Sequence, residues 1–366
     1  MEKIKRQTIM FSGGGTGGSV TPLLAIISEL IKERPDINLI FVGAKIGPEK
    51  ELISNFKERE IKFLTIPSGK WRRYLSLRNL LDIFKIGAAF YKSLSILRKE
   101  RPCLVVSAGS FVSVPLIWAA ACYRIPILIH QQDIRAGLAN KLMAPFAQVI
   151  TVTFEKSLTD YGPRAVLTGN PLRDISTLVT NSVAARKRYG FRVDFPLIMV
   201  IGGGTGATAL NNLLAEALPN LLNFCQVVHL TGYGKKPQII SKNRNYQAFE
   251  FLDQNEVLGL MSASDLVVSR CGLGVLTELA ALEKPVILIP IPQSHQEENA
   301  NLFASRSAAV VLSQIDLKAE KVTNEIQQLL NDTKLRGTLS HNISKIMKPR
   351  AAQSIAAIIW EMIKIK

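Results

Sequence analysis

Ile9-Met10-Phe11-Ser12-Gly13-Gly14-Gly15-Thr16-Gly17-Gly18 returns 189 positions later as Ile198-Met199-Val200-Ile201-Gly202-Gly203-Gly204-Thr205-Gly206-Ala207, identical at seven of ten places. Each copy follows an apolar, β-type run and precedes a helical pattern. Each glycine loop therefore sits where a strand turns into a helix and exposes unpaired backbone N–H groups, which makes an anion site. One such loop points to a nucleotide or dinucleotide enzyme. Two in tandem point to an α/β chain of paired Rossmann-like domains with a cleft between them.

The 366 residues suffice for two domains, each able to bury its own core. A hydrophobic content of 47% with 20% charged residues is that of a folded globular protein. Cys103, Cys122, Cys225 and Cys271 are far apart and form no CxxC pair, so neither a disulfide framework nor a zinc site is indicated, and a reducing cytoplasm is expected. The apolar run after the basic Met1 to Thr8 stops at Ser12, too short for a signal-peptide core, so the chain is not expected to be exported. Cys103 to Tyr123 is 21 residues without a charge, the length of a spanning helix. Ala108-Gly109-Ser110 splits it, however, and strand, loop and buried helix are expected there instead.

The formal charge of +16 is concentrated: residues 70–101 hold nine Lys or Arg against Asp82 and Glu100. Arg78, Lys85, Lys92 and Lys99 recur every seven positions, which stacks them on one helix face. Leucines, isoleucines, Phe84, Phe90 and Tyr91 occupy much of the rest, more apolar surface than one-sided packing requires. The plain reading is a crossover helix with a solvated basic edge. The functional reading is a helix on an anionic membrane surface, with Trp71 and Tyr74 dipping into the acyl boundary while Arg72 and Arg73 meet head groups. Nucleic acid is not expected as a partner, because no recognised module or interleaved basic and aromatic platform is present.

Along the first half, strands are expected at Thr8 to Phe11, Asn38 to Val42, Leu104 to Val106 and Ile127 to Ile129, with a helix over Pro22 to Glu33. The second half repeats the scheme: strands at Leu197 to Ile201, Gln226 to Leu230, Leu266 to Ser269 and Val286 to Pro290, and helices from Ala209 and over Val275 to Leu282. Parallel sheets covered on both faces follow. Domains are expected at 1–169 and 170–349, hinged at Gly169-Asn170-Pro171, with a final amphipathic helix in 350–366 packing back on the first.

Gly13, Gly15 and Gly18 satisfy GxGxxG, but the second strand ends Phe41-Val42-Gly43-Ala44-Lys45 with no carboxylate until Glu49, so a ribose-binding acid of the dinucleotide kind is missing. No Lys-Ser or Lys-Thr closes either run, so a Walker loop is absent as well. A nicotinamide oxidoreductase is therefore the poorest reading. The required carboxylate occurs instead in Ser269-Arg270-Cys271-Gly272-Leu273-Gly274-Val275-Leu276-Thr277-Glu278, where a glycine turn enters a helix: Glu278 can accept both hydroxyls of a ribose while the turn's N–H groups face a diphosphate.

Six blocks in order now carry a resemblance: Gly14 to Gly18; His130-Gln131-Gln132-Asp133 with Ala136-Gly137-Leu138 and Asn140-Lys141; Gly169-Asn170-Pro171-Leu172-Arg173; Gly202 to Ala207; Glu278; and His295-Gln296-Glu297-Glu298-Asn299-Ala300. Over nearly its whole length the chain resembles the MurG family, UDP-N-acetylglucosamine transferases that convert lipid I to lipid II in peptidoglycan synthesis. The resemblance implies a GT-B fold, an inverting transfer without metal or cofactor, and a peripheral place on the cytoplasmic face of the cell membrane. It assigns UDP-N-acetylglucosamine as donor and a polyprenyl-diphosphate-linked muramoyl-peptide as acceptor. By the same carry-over, Glu278 binds ribose, Leu273, Gly274, Val275, Leu276 and Thr277 the diphosphate, Leu252 the uracil through its backbone, Arg173 the nucleotide, and Gln296 with Asn299 the sugar. Thr16, Gly17, Gly18 and Asp133 face transferred sugar and acceptor, and Gly204 and Thr205 belong to the substrate-binding set.

The chain departs from the family at informative places. Gly17-Gly18-Ser19 stands where the family continues Gly-Gly-His, so the residue commonly proposed as base is missing, and serine is no ordinary proton acceptor. The usual His-Glu-Gln-Asn block has become His130-Gln131-Gln132-Asp133, and Gly204-Thr205 replaces Ser-Gln. Asp133, or else His130, is expected to take the base role. Two rival readings keep the donor site: a transferase with another lipid acceptor, and a donor-binding homologue with impaired catalysis.

Overall fold

The structure is a computed structural model that describes residues 7–15, 17–68, 77–173, 175, 182–203, 206–236 and 243–364, without the side chains of 77–83. Thr16, Gly204 and Thr205 lie outside the described residues, as do Trp71, Arg72, Arg73 and Tyr74. Two compact units are present, Met1–Arg173 with Lys348–Lys366, and Asp174–Met347.

In the first unit the chain runs β1 (Thr8–Ser12), α1 (Thr21–Glu33), β2 (Asn38–Ala44), α2 (Pro48–Ser54), β3 (Lys62–Ile66), α3 (Leu77–Glu100), β4 (Leu104–Ser107), α4 (Ser113–Cys122), β5 (Ile127–Gln131), α5 (Leu138–Met143), β6 (Val149–Val152), α6 (Leu158–Tyr161) and β7 (Ala165–Leu167). Its strands form one parallel sheet in the order β3-β2-β1-β4-β5-β6-β7. The second unit holds α7 (Ser182–Arg188), β8 (Leu197–Ile201), α8 (Thr208–Leu221), β9 (Gln226–Leu230), β10 (Tyr246–Phe249), α9 (Gln254–Ala263), β11 (Leu266–Ser269), α10 (Leu273–Ala281), β12 (Val286–Leu288), α11 (His295–Ser305), β13 (Val310–Val311), α12 (Ala319–Asn331) and α13 (Thr333–Ser344). Its parallel sheet runs β10-β9-β8-β11-β12-β13, and α14 (Ala351–Lys364) closes the chain in the first unit.

The largely apolar character of β1, β4 and β5, buried at every position, follows from burial on both sheet faces. Alternation along β1 divides its side chains between two cores. Ile9 and Phe11 join Leu23 and Ile27 of α1 and Ile355, Ile359 and Trp360 of α14. Met10 joins Ala89 and Leu97 of α3 and Leu116 of α4 on the opposite face. The guanidinium of Arg34 lies 4.9 Å from the Trp360 ring centroid and helps hold α14 against α1.

The uncharged run Cys103 to Tyr123 is indeed cut into β4, a loop and α4, and among the described residues no helix is long and apolar enough to cross a membrane. The cut is sharp because Gly109 and Ser110 both take left-handed backbone conformations, φ 98° and 93°. Five strands were not legible in the sequence: β3, β6, β7, β10 and β13. The edge strands β3 and β7 are largely half-buried, and β13 has two residues, so their patterns are weak.

Candidate active site

In both sheets the strand order reverses beside the first strand, between β1 and β4 and again between β8 and β11. Ligands of open α/β sheets bind at the carboxyl ends of the strands at such a switch point. Both glycine runs leave the first strand of their sheet at this place, and Arg270 to Gly272 leave β11 beside the second.

In the second unit the expected donor residues converge. Helix α10 begins at Leu273, two residues earlier than its sequence pattern indicates, with Gly272 as an N-cap that supplies no side-chain hydrogen bond. Its first-turn N–H groups and positive dipole end therefore suit an anion. The side chains of Leu273, Leu276 and Thr277 are buried, so what this turn offers a ligand is backbone. Gln254 donates to Glu278 Oε1 across 3.4 Å. Burial pushes the Glu278 carboxyl up to about 7, with the Gln254 bond opposing the shift. Leu252 immediately precedes a capping box, in which Asp253 accepts from Glu256 N and Glu256 accepts from Asp253 N, and this fixes its backbone.

Gln296 and Asn299 meet the same residue, Cys271. Gln296 Oε1 accepts from Cys271 N at 3.3 Å and Ile291 N at 3.2 Å, while Asn299 Nδ2 donates to Cys271 O at 3.1 Å. Buried Arg270 donates to Ile289 O at 2.8 Å and ties the end of β11 to the end of β12. Two features absent from the sequence reading join them: Gln254, and a stack of Tyr233 on Phe251, ring centroids 5.4 Å apart and 12° from parallel, both rings mostly exposed. Phe251 adjoins Leu252, a proximity the sequence showed, but the stack needs Tyr233 from the loop after β9.

The two glycine runs differ. In the second, Gly206 N donates to Gly203 O at 2.9 Å, and Lys235 Nζ donates to Gly206 O at 3.1 Å. Gly206 has φ 69° and lies so near Thr231 that a Cβ would run into its carbonyl. In the first, Gly14 N donates to Ser19 Oγ at 3.0 Å and Gly15 N to Glu49 Oε2 at 3.2 Å. These two N–H groups, expected to face an anion, already have acceptors. Ser19 Oγ also donates to Gly14 O at 3.0 Å, so Ser19 clasps the loop and is not placed in a catalytic role. Gly17 and Gly18 form a 3-10 turn with Ser19 that leads into α1.

His130 lies in the core. It is fully buried, its Nδ1 lies 3.0 Å from Thr151 Oγ1 and its Nε2 3.0 Å from Asn170 Oδ1, and burial lowers its pKa to about 4. Both ring nitrogens are thus engaged within the core. Gln131, where the family has glutamate, is also internal: its Nε2 donates to the backbone oxygens of Asp133 and Arg135, and its Oε1 accepts from Tyr161 OH and Asn140 Nδ2. It thereby shapes the loop after β5 that carries the half-buried Asp133. Arg173 lies with its guanidinium 4.9 Å from the Phe56 ring centroid.

Residues 9–152 match the glycosyltransferase family 28 N-terminal domain, and residues 197–355 match the glycosyltransferase family 28 C-terminal domain. A Clostridium kluyveri protein named UDP-N-acetylglucosamine--N-acetylmuramyl-(pentapeptide) pyrophosphoryl-undecaprenol N-acetylglucosamine transferase is 36% identical over 326 residues, 88% of this chain and 90% of its own. A Clostridium botulinum protein (strain 657) of the same name is 34% identical over 97% of this chain and 99% of its own. The chain belongs to glycosyltransferase family 28, among the MurG transferases. The crystal structure of Acinetobacter baumannii MurG shares its fold, with a TM-score of 0.70 at 22% identity over 97% of this chain and 99% of that one. So does the Staphylococcus aureus MnaA–UDP structure, with a TM-score of 0.75 at 14% identity over 98% of each chain. The two Rossmann-like units of this MurG-family chain are those of the GT-B class.

Proposed function

We propose that the protein transfers N-acetylglucosamine from UDP-N-acetylglucosamine to the polyprenyl-diphosphate-linked muramoyl-peptide lipid I, giving lipid II and UDP with inversion. The supporting observation is the convergence of Leu252, Gln254, Glu278 and the uncapped start of α10 at the carboxyl ends of one parallel sheet, in a chain whose relatives bear that activity in their names. On this reading Glu278 accepts the ribose hydroxyls, the backbone beside Leu252 reads uracil, and the exposed Phe251 ring covers its face. Arg173 serves the nucleotide, and Gln296 with Asn299 the sugar. Gly17, Gly18 and Gly204, with Thr16 and Thr205, belong to the substrate-binding set on the same reading.

The acceptor hydroxyl oxygen bonds to the anomeric carbon from the side opposite the diphosphate. The anomeric C–O bond breaks, its electron pair stays on UDP, and the hydroxyl proton passes to Asp133. Backbone N–H groups and the α10 dipole stabilise the leaving diphosphate, the preorganised electrostatic contribution that is usually the largest in such reactions. No metal or other cofactor takes part.

On the same reading the protein works on a lipid-linked acceptor at the cytoplasmic face of a membrane, reached by peripheral attachment through 70–101. In α3, Phe84 and Tyr91 are 71% and 74% exposed, and Lys85, Lys92 and Lys99 are exposed beside them. Apolar rings flanked by ammonium groups suit an anionic lipid surface.

The test is incubation of purified protein with labelled UDP-N-acetylglucosamine and lipid I. Labelled lipid product with free UDP is expected. Release of UDP only with another polyprenyl-linked acceptor would replace the acceptor, and UDP binding without any turnover would establish a donor-binding homologue.

A further inference from the structure

Glu49 is fully buried, and among the described residues none of the carboxylate's partners is a cation: Oε1 accepts from Ala44 N at 2.8 Å and Oε2 from Gly15 N at 3.2 Å. It reaches the glycine loop from the first turn of α2, across the end of β2. The surrounding backbone is stripped of side chains to admit it. A Cβ at Gly14 would come 2.6 Å from Oε1 and one at Gly43 2.8 Å from Cγ, and one at Gly47 would overlap the carboxyl group. Three glycines on three segments thus cradle one carboxylate, in the way glycine turns at strand ends cradle a phosphate.

The second glycine turn carries the opposite charge, since Lys235 Nζ donates to Gly206 O there. Two nearly identical sequences therefore differ in their electrostatics through residues outside the repeat. Gly14 N is taken by Ser19 and Gly15 N by Glu49, and a phosphate at this point would have to displace a buried acid from two backbone donors.

We propose that Glu49 is a built-in anion, a positioning residue that occupies the phosphate place of the first glycine loop and holds that loop rigid as the acceptor-side wall. This rests on the transferase reading for what the wall faces, but the occupancy itself does not. Charge-assisted bonds to backbone N–H groups order the loop more firmly than water would, and the diphosphate is left to the second unit.

Glu49→Ala opens a carboxylate-shaped hole and is expected to lower kcat about ten- to hundredfold, with the Kd for UDP unchanged. Formate refills the hole, so millimolar formate raises both the kcat and the melting temperature of Glu49→Ala and leaves the parent protein unaffected. Inorganic phosphate should likewise stabilise the variant alone. A Glu49→Ala protein that turns over like the parent, or one that folds but responds to neither formate nor phosphate, overturns the proposal. Should Glu49→Ala not fold, Glu49→Gln retains the side-chain shape while setting an N–H against an N–H. It should fold and melt below the parent, with reduced kcat, and parental kcat in that variant overturns the proposal as well. If the parent makes no lipid-linked product, the transferase reading fails, while the formate and phosphate shifts in melting temperature still decide the role of Glu49.

Discussion

Glu278 and Asp133 are the residues on which the proposed chemistry turns. Burial raises the Glu278 carboxyl to about 7, and a ribose diol needs the ionised form, which accepts two hydrogen bonds. Below that pH, binding must first remove a proton, so the Kd for UDP should weaken about tenfold per pH unit as pH falls below 7. Calorimetry across this range checks it, with Glu278→Gln as reference to subtract the ionisation of UDP itself; parallel pH profiles would refute the assignment. For Asp133→Asn, kcat should fall about 10²- to 10⁴-fold with UDP affinity intact. Unchanged turnover would remove Asp133 from the base role. The glycine turn, helix and acid that end at Glu278 are adjacent in sequence, whereas the burial of His130 depends on Thr151 and Asn170, brought against it by folding.

At the scale of elements, α3 shows how far periodicity reaches. Its heptad of basic residues and its surplus of apolar ones are plain in the sequence. Which rings remain in water depends on what packs against the helix: α4 and the sheet cover Ala89 and Leu97 and leave Phe84 and Tyr91 outside. On the membrane reading, each exposed lysine contributes about 1 kcal/mol at an anionic surface, so Lys85→Ala with Lys92→Ala should weaken binding to anionic phospholipid vesicles roughly thirtyfold. Cosedimentation measures this, with neutral vesicles as control, and equal partitioning of variant and parent would make the face an ordinary solvated edge. Elements with strong internal patterns, such as β1, β8 and α1, were legible almost to their ends. Edge strands such as β3 were not, because their definition comes from a neighbour: Phe63 pairs with Phe41, not with any pattern of its own.

Across the whole molecule, each unit buries one histidine in a strand, His130 in β5 and His229 in β9, and burial lowers both to about 4. In acid the unfolded chain takes up protons that these histidines cannot, so each contributes stability that is lost as pH falls from 6.5 towards 4, on the order of 3 kcal/mol each. Glu278 works in the other direction: the folded form binds its proton more tightly between 4.5 and 7, so acidification favours the second unit there. The first unit should therefore lose more protection than the second between about pH 6.5 and 4.5. Hydrogen exchange resolved by peptide at the two pH values measures it, and equal losses would contradict the balance. By itself the sequence determined the duplicated strand, glycine turn and helix, hence two Rossmann-like halves, and the turn and helix start from Ser269 to Glu278, because those signals are local in backbone geometry. Only the tertiary structure decided which side chain each glycine turn meets, because that partner, Glu49 for one and Lys235 for the other, stands 34 and 29 positions from the glycine it contacts. Hydrogen bonds of that span exist only once the sheet has brought strand ends together.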